Sequence, residues 1–323
     1  MQTRMTELFN IKYPIMCGGM LWLCKPGLCA AVSNAGGLGN ITAANYDTGE
    51  ELRAAIRNAQ QLTDKPFGIN ITLMPAFRLT PSTFDDYFRV CCEEQVTAIE
   101  VSGAPATKYI GMVHEAGIKI MHKVGAVRHA LNCQKMGYDA VLAAGIEEGG
   151  HPLDDDVSTM VLTPRMVESL DIPVITTGGI ADGRGLAAAL TLGAEGVMMA
   201  TRFIATHECQ VHPNIQAEIL KRQENDTTLI TKTLGMQGRA LKNALVEQIL
   251  EVEARGGKDE LWPLLTGQRV KQAWQTGDVE SAAFYVGQSI GLVHEVCSCQ
   301  ELLDGMMREA EQILRNSLEK FNR

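Results

Sequence analysis

The chain has 323 residues, of which 46% are hydrophobic and 21% charged, and its formal net charge is −9. A chain of this size can bury a large core, either as one barrel with an additional region or as two ordinary domains. The acidic balance argues against partners such as nucleic acid or an anionic membrane, and no apolar stretch approaches the ~20 residues of a membrane span. We therefore expect a small-molecule substrate.

The cysteine pattern indicates a reducing environment. Nine cysteines are scattered along the chain, and the N-terminus lacks the basic and then apolar pattern of a signal segment. The close pairs Cys91-Cys92 and Cys297-x-Cys299 lack the second pair that zinc needs, so no metal is predicted. These features predict a cytoplasmic protein, and a homodimer is compatible with them.

Short apolar or β-branched segments alternate with helical stretches rich in Ala and Leu. The predicted strands cover residues 13–16, 37–41, 67–71, 98–101, 119–122, 140–143, 173–176 and 196–199. They recur roughly every 20 to 33 residues, the length of a strand, a crossover helix and a loop. Eight such units predict an α/β fold, a closed TIM (β/α)8 barrel.

After about residue 203 the strand signal ends. Helical spacing is found instead in residues 214–225, 238–255, 258–276 and 299–321. The sequence thus predicts an additional, mostly helical C-terminal region. We expect residues 1–204 plus 291–323 to form the barrel, and residues 205–290 to form a helical substrate lid over its mouth.

Four short segments follow predicted strands, at the ends where a barrel of this type has its catalytic residues. Residues 17–20, 149–152 and 177–180 each contain a Gly-Gly pair, and the fourth segment is residues 200–203. Glycine at a strand end lets backbone amides approach a phosphate or a planar ring, although a single Gly-Gly is more often an ordinary turn. Four such segments, each at the end of a predicted strand, predict a cofactor site.

The loops after the seventh and eighth predicted strands correspond to the place where barrels commonly bind phosphate. We assign a cofactor phosphate to backbone groups of Gly178, Gly179, Ala200 and Thr201. The alternative is a pair of ordinary helix caps.

Lys123 ends the fifth predicted strand. It can place positive charge beside an electron-rich ring or form a structural ion pair, and we favour the first. Its neighbour His122 should face away from the barrel interior. On the third predicted strand, Asn70 and Thr72 alternate toward one side and could contact the edge of a ring, although Asn70 could equally cap a strand edge.

His151 is the candidate catalytic residue. It lies between Gly149-Gly150 and Pro152 at the sixth strand end, and its ordinary pKa of ~6.5 suits proton transfer near neutrality. The run Asp154-Asp155-Asp156 could suggest a cation site, but acids ahead of a helix more often cap it.

Together these residues resemble the nitronate monooxygenase family, also called the 2-nitropropane dioxygenase-like flavoproteins. The resemblance covers nearly the whole chain and rests on motifs at residues 14–20, 33–39, 66–70, 149–151, 178–185 and 201–203. It implies FMN at the mouth of a TIM barrel, with contacts at Gly18, Gly19, Met20, Thr72, Lys123, Gly149, Thr177, Ala200 and Thr201. It also implies that His151 lies where the substrate binds.

Within that family, the segment from His151 to Asp156, the stretch 123–130 and the tail motifs at 253–257 and 266–269 look most like the NADH:quinone reductase branch. There, the loop containing Pro75, Phe77 and Arg78 is expected to touch the nicotinamide cofactor. Because an Arg in this loop can contact a phosphate, NADPH and an acyl-carrier substrate stay open.

The first functional prediction is an NAD(P)H:quinone reductase that passes hydride from NADH to FMN and two electrons to a quinone. The alternatives are a nitronate monooxygenase that oxidises alkyl nitronates with O2, and an FMN-dependent enoyl-thioester reductase. A flavin-free barrel that acts as a binding protein is the non-enzymatic alternative. All but the last predict a yellow protein.

Overall fold

The computed structural model describes residues 1–74 and 79–321. Its main feature is a ring of parallel strands. They are β1 (Ile15–Cys17), β2 (Gly39–Thr42), β3 (Phe67–Leu73), β4 (Ala98–Gly103), β5 (Lys119–Val124), β6 (Ala140–Ala144), β7 (Val174–Thr177) and β8 (Gly196–Met199). β8 pairs with β1, and a parallel bridge between Met16 and Leu38 joins β1 to the segment before β2. The predicted TIM barrel is confirmed.

Helices follow the strands and cover the outside of the barrel. In chain order they are α1 (Arg4–Phe9), α2 (Pro26–Asn34), α3 (Gly49–Leu62), α4 (Pro81–Glu93), α5 (Ile110–Glu115), α6 (Val127–Met136), α7 (Thr159–Ser169), α8 (Gly183–Thr191), α9 (Thr201–Ile204), α10 (Pro213–Ile219), α11 (Ala244–Ala254), α12 (Lys258–Leu261), α13 (Gly267–Thr276) and α14 (Cys299–Phe321). The long α14 packs against α8 and α2. It therefore returns to the flank of the barrel.

Local sequence signals explain where several helices begin. Thr48 and Glu51 form a capping box at the start of α3, in which each side chain accepts a hydrogen bond from the other residue's backbone N–H. Asp182 accepts hydrogen bonds from the backbone N–H groups of Arg184 and Gly185 at the start of α8. In both helices a side chain thus satisfies backbone N–H groups that have no partner within the helix.

The lower half of the barrel interior is apolar. Met16, Leu38, Met121, Leu142 and Ile175 pack there in one buried cluster. Met5 and Phe9 of α1 belong to the same cluster, so α1 closes the amino-terminal end of the barrel. The ligand-accessible end is therefore the opposite one, where the strands have their carboxyl ends.

The C-terminal region differs from the prediction in one important respect. An antiparallel hairpin, β9 (Thr227–Ile230) and β10 (Gly238–Leu241), occupies part of the segment predicted as helix over 238–255. The predicted helix start at residue 238 was wrong. The helix α11 begins only at Ala244, because the Asn243 side chain caps it by accepting a hydrogen bond from the Val246 N–H. The predicted helix over 258–276 is divided into α12 and α13, since Pro263 between them has no N–H to donate.

The hairpin meets the barrel at the loop after β6. The N–H of Arg239 donates to the carbonyl of Gly150 at 2.7 Å, and the side-chain amide of Gln237 donates to the carbonyl of Leu153 at 2.7 Å. The C-terminal region therefore supports the loop that carries His151. The division of the chain into a barrel and a lid stays a prediction.

Among the helices within residues 1–74 and 79–321, none is both long and apolar enough to cross a membrane.

Candidate active site

A cavity of about 560 Å³ opens at the carboxyl ends of the barrel strands. It brings together most of the residues that the sequence singles out, namely Gly18, Gly19, Asn70, Thr72, Lys123, Gly149, Gly150, His151, Thr177, Gly178, Gly179, Ala200 and Thr201. Met20 is the exception, because it packs with Trp22 and Leu23 in a buried hydrophobic cluster beside the cavity. Pro75, Phe77 and Arg78 lie outside the described residues.

One wall of this cavity is polar, and the strand register explains it. Along β2 to β5, interior residues change from apolar to polar two positions further toward the cavity. Leu38, Gly68, Ala98 and Met121 are followed by Asn40, Asn70, Glu100 and Lys123. Because side chains two apart lie on the same face of a strand, the second set forms a polar layer above the apolar interior. The facing wall presents Gly18, Ala144 and Met198.

A buried charge cluster lies in the polar wall. Nζ of Lys123 donates to Oε1 of Glu148 at 2.8 Å, and the Asn70 amide donates to Oε2 of Glu100. Burial raises the pKa of Glu100 to about 7, although the charge of Lys123 opposes this, and burial also raises the pKa of Glu148. The structural ion pair that we considered the weaker alternative for Lys123 is therefore present, and it lies inside the cavity.

His151 faces the open cavity, so its side chain is exposed to solvent although protein surrounds the site. Desolvation by these walls lowers the pKa of its imidazole to about 4, and the positive charge of Lys123 lowers it further. The ring lies 5.2 Å, centroid to centroid, from that of Tyr285. At neutral pH the imidazole is therefore neutral, with one N–H donor and one lone pair.

The predicted phosphate end contains a turn that only glycine adopts easily. Gly178 and Gly179 have φ values of +104° and +74°, in the left-handed region. Thr201 is the first residue of α9, so its backbone N–H has no partner within the helix. Its Oγ1 accepts a 2.9 Å hydrogen bond from the N–H of Gly287. These loop and helix-end amides fit a phosphate group.

Three further glycines allow close approach of chain segments around the cavity. A Cβ on Gly19 would lie 2.2 Å from Cγ of Asn70, so any side chain there would displace the amide. A Cβ on Gly149 would lie 2.6 Å from the backbone N of Gly287, and one on Gly287 would lie 2.8 Å from the backbone N of Gly149. The segment after the hairpin therefore packs directly on the loop after β6.

The structure corrects the role expected for the three aspartates after His151. They were predicted to cap the following helix, but α7 begins at Thr159, and the carboxylate of Glu147 accepts the Thr159 N–H at 3.0 Å. Asp155 instead forms an ion pair with Arg128 at 2.8 Å. The carboxylate that caps the start of α7 is therefore that of Glu147, in the loop before His151.

Several cavity residues were missed by the sequence reasoning: Glu100, Ser102, Asn132, Glu148, Met236, Gln237 and Ser289. A charged residue inside the apolar segment 98–101 was the available signal for Glu100. No local signal marks Met236, Gln237 or Ser289, because they reach the cavity only through the packing of the C-terminal region.

The cavity extends beyond the barrel mouth, along α6. Four residues at positions i, i+3, i+4 and i+7 line it from one face of this helix, namely His129, Asn132, Cys133 and Met136. Gly103, the last residue of β4, and Pro105 in the loop after it border the same extension. His122 also borders it, packed against Tyr138 at a centroid distance of 5.2 Å. Because polar and apolar side chains alternate there, the extension suits a long, partly polar ligand.

Comparisons with known proteins agree with this geometry. The family model described as nitronate monooxygenase matches residues 2–102 and 82–309. A (3aS,4S,5R,7aS)-5-hydroxy-7a-methyl-1-oxo-octahydro-1H-indene-4-carboxyl-CoA dehydrogenase of Rhodococcus jostii is 33% identical and covers 96% of both chains. A probable nitronate monooxygenase of Staphylococcus saprophyticus is 31% identical over 97% of this chain and 99% of the relative. The structure of FabK from Thermotoga maritima is 38% identical, covers 99% of both chains and superposes with a TM-score of 0.92.

Proposed function

The chain belongs to the nitronate monooxygenase family of oxidoreductases, and from this premise we propose that it binds FMN and transfers a hydride between NADH or NADPH and an acyl thioester. The chemistry that FMN supplies when bound is the acceptance and donation of a hydride. The protein supplies binding, orientation and charge.

The phosphate of FMN fits the amides of Gly178, Gly179 and Thr201, with Ala200 beside them. Lys123 holds positive charge in the polar wall, where it would favour electron-rich states of a bound ring. Thr72 and Asn70 line the same wall and could meet the ring edge.

His151 is proposed to orient the second substrate. Because its imidazole is neutral at neutral pH, one ring nitrogen can donate a hydrogen bond to the thioester carbonyl while the other stays a proton acceptor. Tyr285 lies beside the ring and limits its movement. This role needs no charge change on His151 near neutrality.

The observation that carries the choice of a thioester is the extension of the cavity along α6. An acyl thioester has a long arm that contains amide groups, and this extension offers His129 and Asn132 beside Met136 and Pro105. An isoprenoid quinone tail has no amide groups with which these polar side chains could form hydrogen bonds. The relative from Rhodococcus, named for a carboxyl-CoA compound, supports the same class.

Nitronate monooxygenase is the second candidate. It is favoured by the Staphylococcus relative of that name, and by the lone pair that neutral His151 would offer to a substrate proton. None of the three relatives reported above is named for a quinone, so NAD(P)H:quinone reductase remains a prediction from the sequence alone.

Anaerobic stopped-flow mixing tests the proposal. NADH or NADPH should bleach the visible flavin band, and an α,β-unsaturated acyl-CoA should restore it faster than a quinone of similar size. A flavin reoxidised by the quinone but by no acyl thioester would favour the quinone reductase. Bleaching by a nitronate, without response to either nicotinamide cofactor, would favour the monooxygenase.

A further inference from the structure

The polar wall of the cavity holds two buried carboxyl groups and one ammonium group. Glu100 and Glu148 are only 2% and 6% exposed, and Lys123 lies between the strand of one and the loop of the other. With both acids ionised the cluster has one negative charge more than it can pair. Burying an unpaired charge is strongly unfavourable, so one of the acids should hold a proton more readily than an exposed carboxyl does.

The hydrogen bonds indicate which acid this is. Glu148 accepts directly from Nζ of Lys123, whereas Glu100 accepts from the uncharged amide of Asn70. The charged groups that act on Glu100 are Lys123 from β5 and Glu148 from the loop after β6, and β3 contributes only Asn70. Glu148 is therefore the paired carboxylate, and Glu100 is the acid poised to bind a proton.

We propose that Glu100 is a proton-binding site of the cofactor cavity: its carboxylate takes up one proton from solvent when bound FMN receives two electrons, and releases it when the electrons leave. This inference rests on the FMN part of the proposed function and is independent of the second substrate. In the reductive half-reaction, hydride leaves NAD(P)H for FMN, NAD(P)⁺ departs, and the proton forms an O–H bond on Glu100. The added negative charge is thereby balanced within the cavity.

The physical reason is proximity within a site of low polarity. Glu100 lines the same cavity as the residues that fit FMN, and burial already brings the pKa of its carboxyl to about 7. Added negative charge nearby disfavours a carboxylate further. Protonation of Glu100 should therefore follow reduction over the range of pH just above this value.

The test is the pH dependence of the two-electron midpoint potential of bound FMN, which counts the protons taken up with the electrons. Chemical or electrochemical reduction is used, so activity toward any substrate is not required. In the wild-type protein the number of protons taken up per two electrons should rise from one to two as pH passes above the pKa that Glu100 has while FMN is oxidised. In Glu100→Gln it should stay at one.

Glu148→Gln provides the matched buried control. Without Glu148, Lys123 should pair with Glu100 and lower its pKa, so the two-proton range should begin at a lower pH rather than vanish. A count of two at low pH that falls to one at high pH, unchanged in Glu100→Gln, would assign the proton to the flavin ring and overturn the inference.

An infrared difference spectrum of the wild-type protein gives a second measurement that needs no variant. Reduction should produce a protonated-carboxyl C=O band that shifts when the protein is labelled with 13C-glutamate. A spectrum without this band would also overturn the proposal. If the protein binds FMN but takes up one proton per two electrons over the whole pH range, only this inference is refuted. If the protein binds no FMN, the proposed function is refuted as well.

Discussion

Nζ of Lys123 lies 2.8 Å from Oε1 of Glu148, and this ion pair joins the fifth barrel strand to the loop that carries His151. The two side chains are 18% and 6% exposed. Removing one partner of a buried pair leaves the other charge without compensation, which typically costs ~3–5 kcal/mol.

Lys123→Met should therefore lower the free energy of unfolding by about 3 kcal/mol at pH 8. The loss should be smaller at pH 5, because the raised pKa values of Glu100 and Glu148 mean that these acids protonate as pH falls. Urea unfolding at both pH values measures this. Arg165→Met is the control, since Arg165 and Glu168 form an exposed pair whose loss should change stability by ~0.5 kcal/mol at most. Equal losses at the two pH values would contradict the prediction.

The pKa of Glu100 predicts a specific pH dependence of stability. Its folded-state pKa, about 7, is above the ordinary value of 4.5. The protonated carboxyl therefore contributes stability that is full below pH 4.5 and is lost as pH rises through 7. Relative to Glu100→Gln, the wild-type protein should lose about 3 kcal/mol over this range. Unfolding curves of the FMN-free proteins at several pH values measure the difference, and parallel pH profiles would refute the assignment.

His151 should titrate far below the usual range for histidine, because its pKa is lowered to about 4. In NMR spectra of protein labelled with 15N-histidine, the signals that disappear in His151→Gln should show a neutral ring down to about pH 5. The variant should retain FMN and lose turnover by roughly 10²-fold or more, as expected for a group that handles a proton. A midpoint near 6.5 would show that the cavity does not desolvate this ring.

Gly19→Ala should weaken FMN binding because the new methyl group would collide with the Asn70 amide. Displacement of Asn70 also removes the hydrogen-bond donor of Glu100. Gly305→Ala is the matched control, since Gly305 lies in α14 with no atom within 4 Å of a new Cβ. It should stabilise the helix by up to ~1 kcal/mol and leave FMN affinity unchanged. Flavin fluorescence titration compares the two variants, and equal affinities would contradict the close contact.

The extension along α6 predicts a selective effect on long substrates. Asn132→Phe should raise KM for an acyl-CoA by about tenfold, or ~1.4 kcal/mol, without slowing reduction of the flavin by NAD(P)H. Lys135→Phe places the same ring at an exposed position of α6 that does not line the cavity, and it should leave KM unchanged. If Asn132→Phe slows both half-reactions equally, the extension is not the place of the thioester arm.

The sequence was most informative where local rules decide the structure. Strands β3 to β8 begin within one residue of their predicted starts, because short apolar segments separated by capped helices have few other arrangements. The hairpin at residues 227–241 was missed. Its second strand contacts the barrel through a bridge between Arg239 and Gly150, and such a tertiary contact leaves no local signal in the sequence. The same reason explains why the helical spacing after residue 238 misled the prediction.

Within the cavity, glycine motifs and the lone histidine at strand ends could be recognised from the sequence. The pairing of Lys123 could not, since its partner Glu148 approaches from a loop whose path depends on the Glu147 contact with Thr159. Glu100 was overlooked because strand periodicity describes which face a residue occupies and gives no information about its protonation.

The mutual contact of Gly149 and Gly287 also determines when, during synthesis on a ribosome, this site can exist. Gly287 donates its N–H to Thr201, and the next-but-one residue, Ser289, lines the cavity. At ~5–20 residues per second, Gly287 emerges on the order of ten seconds after Gly149. The mouth of the nascent barrel therefore stays incomplete until nearly the whole polypeptide has been synthesised, and only then can it retain a cofactor.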